Sequence, residues 1–162
     1  MLRYTLYEIR RSVLSFSSLF YTIIMPVGLY LLFGALQDYA KIKVADGNAA
    51  AYVMIGIALY GAISCTVSIS GLTVVENVAG WGRQLGLTPM NTGKYLLSKC
   101  CVAFIMAAVP ITAVNIVARM TKIDMPLKQQ IACAALSILC AMVFGFFGLA
   151  IGFLVPSESA VG

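Results

Sequence analysis

Four stretches of this sequence contain no Asp, Glu, Lys or Arg, and each is long enough to cross a bilayer. They run from Ser12 to Gln37, Gly47 to Val75, Cys100 to Ala118 and Gln129 to Ser157, or 26, 29, 19 and 29 residues. A helix of about 20 mostly apolar residues crosses a hydrocarbon core about 30 Å thick. Only helices and closed barrels satisfy every backbone polar group inside lipid, and runs of this length match helices. The expectation is an all-α membrane protein. A single transmembrane domain covers residues 1–162, with spans near 13–36, 49–75, 100–118 and 131–155. The chain is 61% apolar and 10% charged, against about 45–50% and about 25% in soluble domains. The short pieces between the runs leave no room for a soluble catalytic core. The first run exceeds the 7–15-residue core of a signal peptide and no small-x-small site follows it promptly, so it reads as a retained anchor.

What the chain lacks narrows its chemistry. It has no histidine, and its five cysteines, at 65, 100, 101, 133 and 140, form no C-x-x-C pair. No metal site or disulfide framework is expected from such a set. None of the four uncharged runs carries an acid, base or histidine for proton or nucleophile chemistry, so the chain does not read as an enzyme. The same absence argues against a carrier coupled to an ion gradient, because relays inside membranes rest on buried ionisable groups. Gly86 to Tyr95 superficially resembles a phosphate loop, but six residues separate Gly86 from Gly93 and Tyr95 follows Lys94. A Walker A needs four residues between its glycines and Ser or Thr after the lysine, so this chain is expected to bind no nucleotide and no other cofactor. The net charge of +5 suits lipid headgroups, with membrane lipid as partner. Nothing interleaves aromatics with a basic stripe as a nucleic-acid surface would.

Spacing along the runs predicts how the helices meet. Leu2, Leu6, Ile9 and Val13 recur at helical intervals opposite Arg3 and Arg10, the pattern of an amphipathic helix lying in the membrane interface. Pro26 and Gly28 permit a kink in the first span. Ser15, Ser17, Ser18, Tyr21 and Thr22 either line a polar path or bond back to their own helix. In the second span Gly56, Gly61, Ser64, Ser68 and Gly71 allow close helix approach, and the fourth carries a stripe of Cys133, Ser137, Ala141 and Gly145 followed by Gly148 and Gly152. Small residues at such spacing favour helix packing, within this chain or against another.

Between the second and third spans lies a segment, 76–99, that holds the only tryptophan. Val74, Val78, Trp81 and Leu85 recur at helical intervals, Gly86 interrupts, and Thr88-Pro89 reads as an N-cap and first helical residue. Lys94 and Lys99 are expected to snorkel. On physics alone this is either an interfacial hairpin anchored by Trp81 or a docking knob for a soluble partner. The run Glu76-Asn-Val-Ala-Gly80-Trp81-Gly-Arg83-Gln84-Leu85-Gly86-Leu-Thr88-Pro89-Met90 resembles the signature of bacterial type-2 ABC-transporter permeases, Glu-Arg-x-x-Gly-Trp-x-Arg-x-Leu-x-x-Thr-Pro-Leu. The run Pro26 to Gly34 and the piece Ala58 to Gly61 also look like that family. Asn77 stands where the family has Arg.

The resemblance implies the membrane subunit of an ATP-driven exporter. Its segment 76–99 would be a cytoplasmic coupling helix docked on a separate ATPase subunit, which binds the ATP and Mg. Glu76, Trp81, Arg83, Gln84, Leu85, Thr88 and Pro89 would make the contact. It further implies a second permease copy or homologue beside this one, a bacterial plasma-membrane location, many passes and a cytoplasmic N-terminus. Such permeases have six spans, so with four this chain is expected to be an N-terminal fragment lacking the last two. Charge alone gives little direction, with six Lys and Arg in the connections expected inside against five in those outside. A different reading, favoured if no ATPase associates, is a non-transporting membrane module for assembly, immunity or signalling.

Overall fold

A computed structural model describes residues 10, 20–44, 47–76, 92–121 and 123–154. Among the described residues the chain is helical apart from one small hairpin and short connections. Three helices are long and apolar enough to cross a membrane, with spans at Ala49–Glu76, Tyr95–Met120 and Leu127–Ile151, and Phe20–Ala35 is a shorter apolar helix. We label the helices α1 (Phe20–Ala35), α2 (Ala49–Glu76), α3 (Thr92–Met120) and α4 (Leu127–Leu154).

The long helices run past the charged residues that bounded the apolar runs. Helix α3 begins at Thr92 rather than near residue 100, and α4 at Leu127 rather than 131. Lysine has good helix propensity and does not end a helix; the uncharged run marks the lipid-compatible part, not the helix. The last eight residues of the expected coupling segment, 92–99, are thus the opening turns of α3. Residues 77–91 lie outside the described residues.

Helix α1 is not a plain α-helix. Phe20–Ile24 and Leu31–Ala35 are wound as π-turns on either side of the α-helical Met25–Tyr30. Pro26 is the second residue after the first π-turn. It has no N–H and its ring crowds the preceding turn, and a π-turn there absorbs the mismatch. At its described length α1 measures about 24 Å, short of the hydrocarbon core; the remainder of the expected first span, 13–19, is outside the described residues.

The connection to α2 is tightly organised. The Gln37 amide donates to the Leu32 carbonyl (2.9 Å) and the Tyr39 hydroxyl to the Phe33 carbonyl (2.6 Å), so two side chains serve the free carbonyls at the end of α1. After a 3₁₀ turn at Asp38–Lys41, strands β1 (Lys43–Val44) and β2 (Gly47–Asn48) pair antiparallel, Lys43 opposite Asn48. Asn48 Oδ1 then accepts from the Ala51 N–H at 3.2 Å and caps α2.

Helix α2 is central, packing on α3 along one side and α4 along another. Its buried residues, Ala50, Ala51, Met54, Ala58, Gly61, Ala62, Thr66, Ser70, Thr73 and Val74, form a stripe of mostly small side chains. Facing it are Val102, Met106, Ala107, Ile111, Val114 and Ala118 of α3 and Ser137, Ala141 and Gly145 of α4. Most other side chains of α4 point outward, including Leu136, Leu139, Val143, Phe144, Phe146 and Phe147. In water such a surface would drive aggregation; facing lipid tails it is expected.

Small residues set the helix spacing. A Cβ on Gly145 would lie 3.1 Å from Thr66 Cβ, and one on Gly148 3.3 Å from Ser70 Cβ. The Thr66 hydroxyl reaches the Ala141 carbonyl at 2.9 Å and the Ser70 hydroxyl the Gly145 carbonyl at 2.7 Å, so α4 is also tied to α2 by hydrogen bonds. Gly61 is wedged between two prolines, its missing Cβ 3.0 Å from Pro110 Cβ and 3.1 Å from Pro26 Cγ. Helices α1, α2 and α3 meet at that point. Gly56, Ser64, Ser68 and Gly71, expected to help pack this helix, instead face outward.

Candidate functional site

Where α2 ends and α3 begins, three side chains close a small polar cluster. Glu76 is the last residue of α2, and Tyr95 and Lys99 lie one turn apart in α3. Lys99 Nζ is 2.8 Å from Glu76 Oε2, and the Tyr95 hydroxyl donates to the same oxygen at 2.9 Å. The ammonium also lies 5.5 Å from the centre of the Tyr95 ring, within cation–π range. The Lys99 side chain is 3% exposed and that of Glu76 27%. Lys99 therefore does not snorkel: α3 starts two turns earlier than the charge-free run suggested, so the lysine is inside the bundle, and Glu76 supplies its counter-charge. A buried ammonium needs such a partner, because desolvation otherwise disfavours its charged form.

This cluster fixes the two chain ends from which residues 77–91 emerge. Of the residues expected to contact an ATPase, Glu76 bonds through one carboxylate oxygen to Lys99 and Tyr95 and stays 27% exposed. Trp81, Arg83, Gln84, Leu85, Thr88 and Pro89 lie outside the described residues. Of the packing residues, Ser137, Ala141, Gly145 and Gly148 face α2 within this chain or lie beside that face. Gly152 is in the last turn of α4.

A second polar cluster lies at the opposite end of α3, beside the turn into α4. Gln130, 4% exposed, accepts from Arg119 Nε at 2.6 Å and donates to Asn115 Oδ1 at 2.8 Å. The Tyr30 and Thr121 hydroxyls are 2.8 Å apart and join α1 to the end of α3. Neither Gln130 nor Tyr30 stood out in the sequence: Tyr30 sits among apolar residues, Gln130 follows Lys128 and Gln129 at an ordinary polar helix start, and the partners of both are 11 or more positions away.

The hydroxyls within the helices mostly bond back along their own chain. Ser68 reaches the Ser64 carbonyl, Thr73 that of Ile69, Thr112 that of Ala108 and Ser137 that of Cys133. Of the hydroxyls at the start of the first span, Thr22 is buried and accepts from Cys65 Sγ at 3.6 Å, while Tyr21 faces outward. Among the described residues no three His, Cys, Asp or Glu side chains gather as a metal site would require.

No curated protein and no solved structure matches the chain. The family model described as ABC-2 type transporter matches residues 2–162. Matched over this length, the chain belongs to the ABC-2 type transporter family and is a membrane permease component of an ABC transporter.

Proposed function

We propose that this chain is the membrane subunit of an ATP-driven exporter, moving its cargo along a path formed with a second permease copy or homologue. In this reading a separate ATPase subunit, holding ATP and Mg, docks on the segment that joins α2 to α3. Trp81 and Leu85 form the apolar knob, Arg83 and Glu76 make polar contacts with Gln84 and Thr88 beside them, and Gly80, Gly86 and Pro89 shape the turn. The family membership supports the reading. The structural observation that carries it is the Glu76–Lys99–Tyr95 cluster, which ties the two ends of the docking segment to adjacent helices. A push on a segment so anchored moves α2 and α3 rather than being absorbed in a slack loop. The ionisable pair also sits at a helix end, and among the described residues no other ion pair lies deeper in the bundle, which supports energy arriving through a partner.

The orientation follows from the same reading: the docking segment faces the cytoplasm, together with the N-terminus, in the plasma membrane of a bacterium. The test is co-purification of the natively encoded protein in mild detergent. A Walker-motif ATPase in near-equal amount supports the reading, and Trp81→Ala with Arg83→Glu is expected to abolish that association while leaving the permease in the membrane. Recovery without any ATPase, or association indifferent to both substitutions, refutes it.

A further inference from the structure

Between α3 and α4, at the end away from Glu76, lies an open cleft of about 520 Å³. Its walls are apolar, with Ile111, Ile116, Ile131 and Ala134 among them, and Arg119 stands at its mouth. Arg119 is in the last turn of α3, and Ile111 lies eight residues deeper. At 1.5 Å per residue that is a depth of about 12 Å. A helix end places a guanidinium at headgroup level while the walls below it lie at acyl-chain level.

The guanidinium is held rather than free to swing. Gln130, buried and itself bonded to Asn115, accepts its Nε–H at 2.6 Å. That leaves the two terminal NH₂ groups, and among the described residues no carboxylate pairs with them. A planar, pre-positioned guanidinium matches phosphate oxygens well.

We propose that this cleft is a binding site for an anionic phospholipid, its phosphate on Arg119 and an acyl chain laid along the cleft wall. The site is independent of which soluble partner the chain has. The shape of the cleft suits the tail, and the charge at its mouth selects the head. A second copy of the chain, or a further span of a longer one, would cover the apolar walls equally well. The lipid is favoured because its phosphate supplies the counter-charge that no described residue of this chain gives Arg119.

The experiment is native mass spectrometry of the natively encoded protein, extracted in detergent and equilibrated with phosphatidylglycerol or phosphatidylcholine. Phosphatidylglycerol is expected to be retained at collision energies that strip phosphatidylcholine. Arg119→Gln should reduce that retention roughly tenfold, the scale of one charge-assisted phosphate contact. Arg119→Lys should restore part of it, and Ala134→Phe, which fills the cleft and leaves the guanidinium in place, should reduce it too. In membranes, a photoreactive residue at position 116 should crosslink to lipid. Unchanged retention in both Arg119→Gln and Ala134→Phe would overturn the proposal. So would a crosslink at position 116 to protein instead of lipid, or displacement of the lipid by millimolar inorganic phosphate alone, which would mark a free-anion site.

Discussion

Replacing Glu76 with Gln removes a charge from the α2–α3 junction and little else. The amide is isosteric, and its oxygen can still accept from Tyr95, so the loss is the attraction to Lys99. At the observed 2.8 Å, and an effective dielectric of about 20, that attraction is roughly 6 kcal/mol before desolvation. Desolvating a lysine 3% exposed offsets several kcal/mol of this, and losing one partner of a fully buried pair typically costs about 3–5 kcal/mol. Here the carboxylate is 27% exposed and Lys99 keeps a further interaction, so we expect the lower side of that range, about 2–3 kcal/mol. The assay is thermal unfolding of the detergent-purified protein followed by size exclusion. A loss of that size lowers the midpoint by roughly 5–10 °C in a chain of this length. The decisive comparison is with Lys99→Met alone and with the double variant. If the pair is a lock, the double variant is more stable than Glu76→Gln, because no buried ammonium is left without its carboxylate. If the two single effects simply add, or Glu76→Gln shifts the midpoint by less than about 2 °C, the pair does not hold the junction and the reasoning fails.

Glycine positions on α2 should respond to alanine with opposite signs. Gly61→Ala drives a methyl against the rings of Pro26 and Pro110, and should lose about 1–2 kcal/mol despite alanine's better helix propensity. Gly71→Ala, with nothing within 4 Å of the new methyl, should gain about 0.5–1 kcal/mol; paired thermal scans check both. On α4, Gly145→Leu must displace Thr66 from its contact and is expected to cost about 3 kcal/mol. Its readout is the accessibility of a cysteine placed at position 62 to a membrane-permeant thiol reagent, which should rise only if α2 and α4 separate.

Composition and the spacing of charges determined that this chain is a helical membrane protein. In lipid the backbone has few ways to satisfy its own hydrogen bonds, so a charge-free run of this length leaves almost no choice. The same reading located α2 and α4 closely, and the signature around Trp81 pointed to the family whose model spans residues 2–162. It also picked out the stripe Ser137, Ala141 and Gly145 but left open whether its partner was in the chain, because a small-residue stripe states only that something comes close. The tertiary structure decided that the neighbour is α2, through Thr66 and Ser70, residues whose hydroxyls look in sequence like ordinary self-bonded ones. It decided that Ala58 and Ala62, rather than Gly56 and Gly71, line the packed face of α2, since the direction of a stripe depends on where the other helices lie. Above all it decided the fate of Lys99. Sequence places a lysine beside an apolar run and sends it to the headgroups; only the meeting of the end of α2 with the second turn of α3 puts Glu76 within reach. Helix identity is a local property that neighbouring residues encode, whereas burial of a charge depends on a partner 23 residues away, and that partnership exists only once the helices have packed.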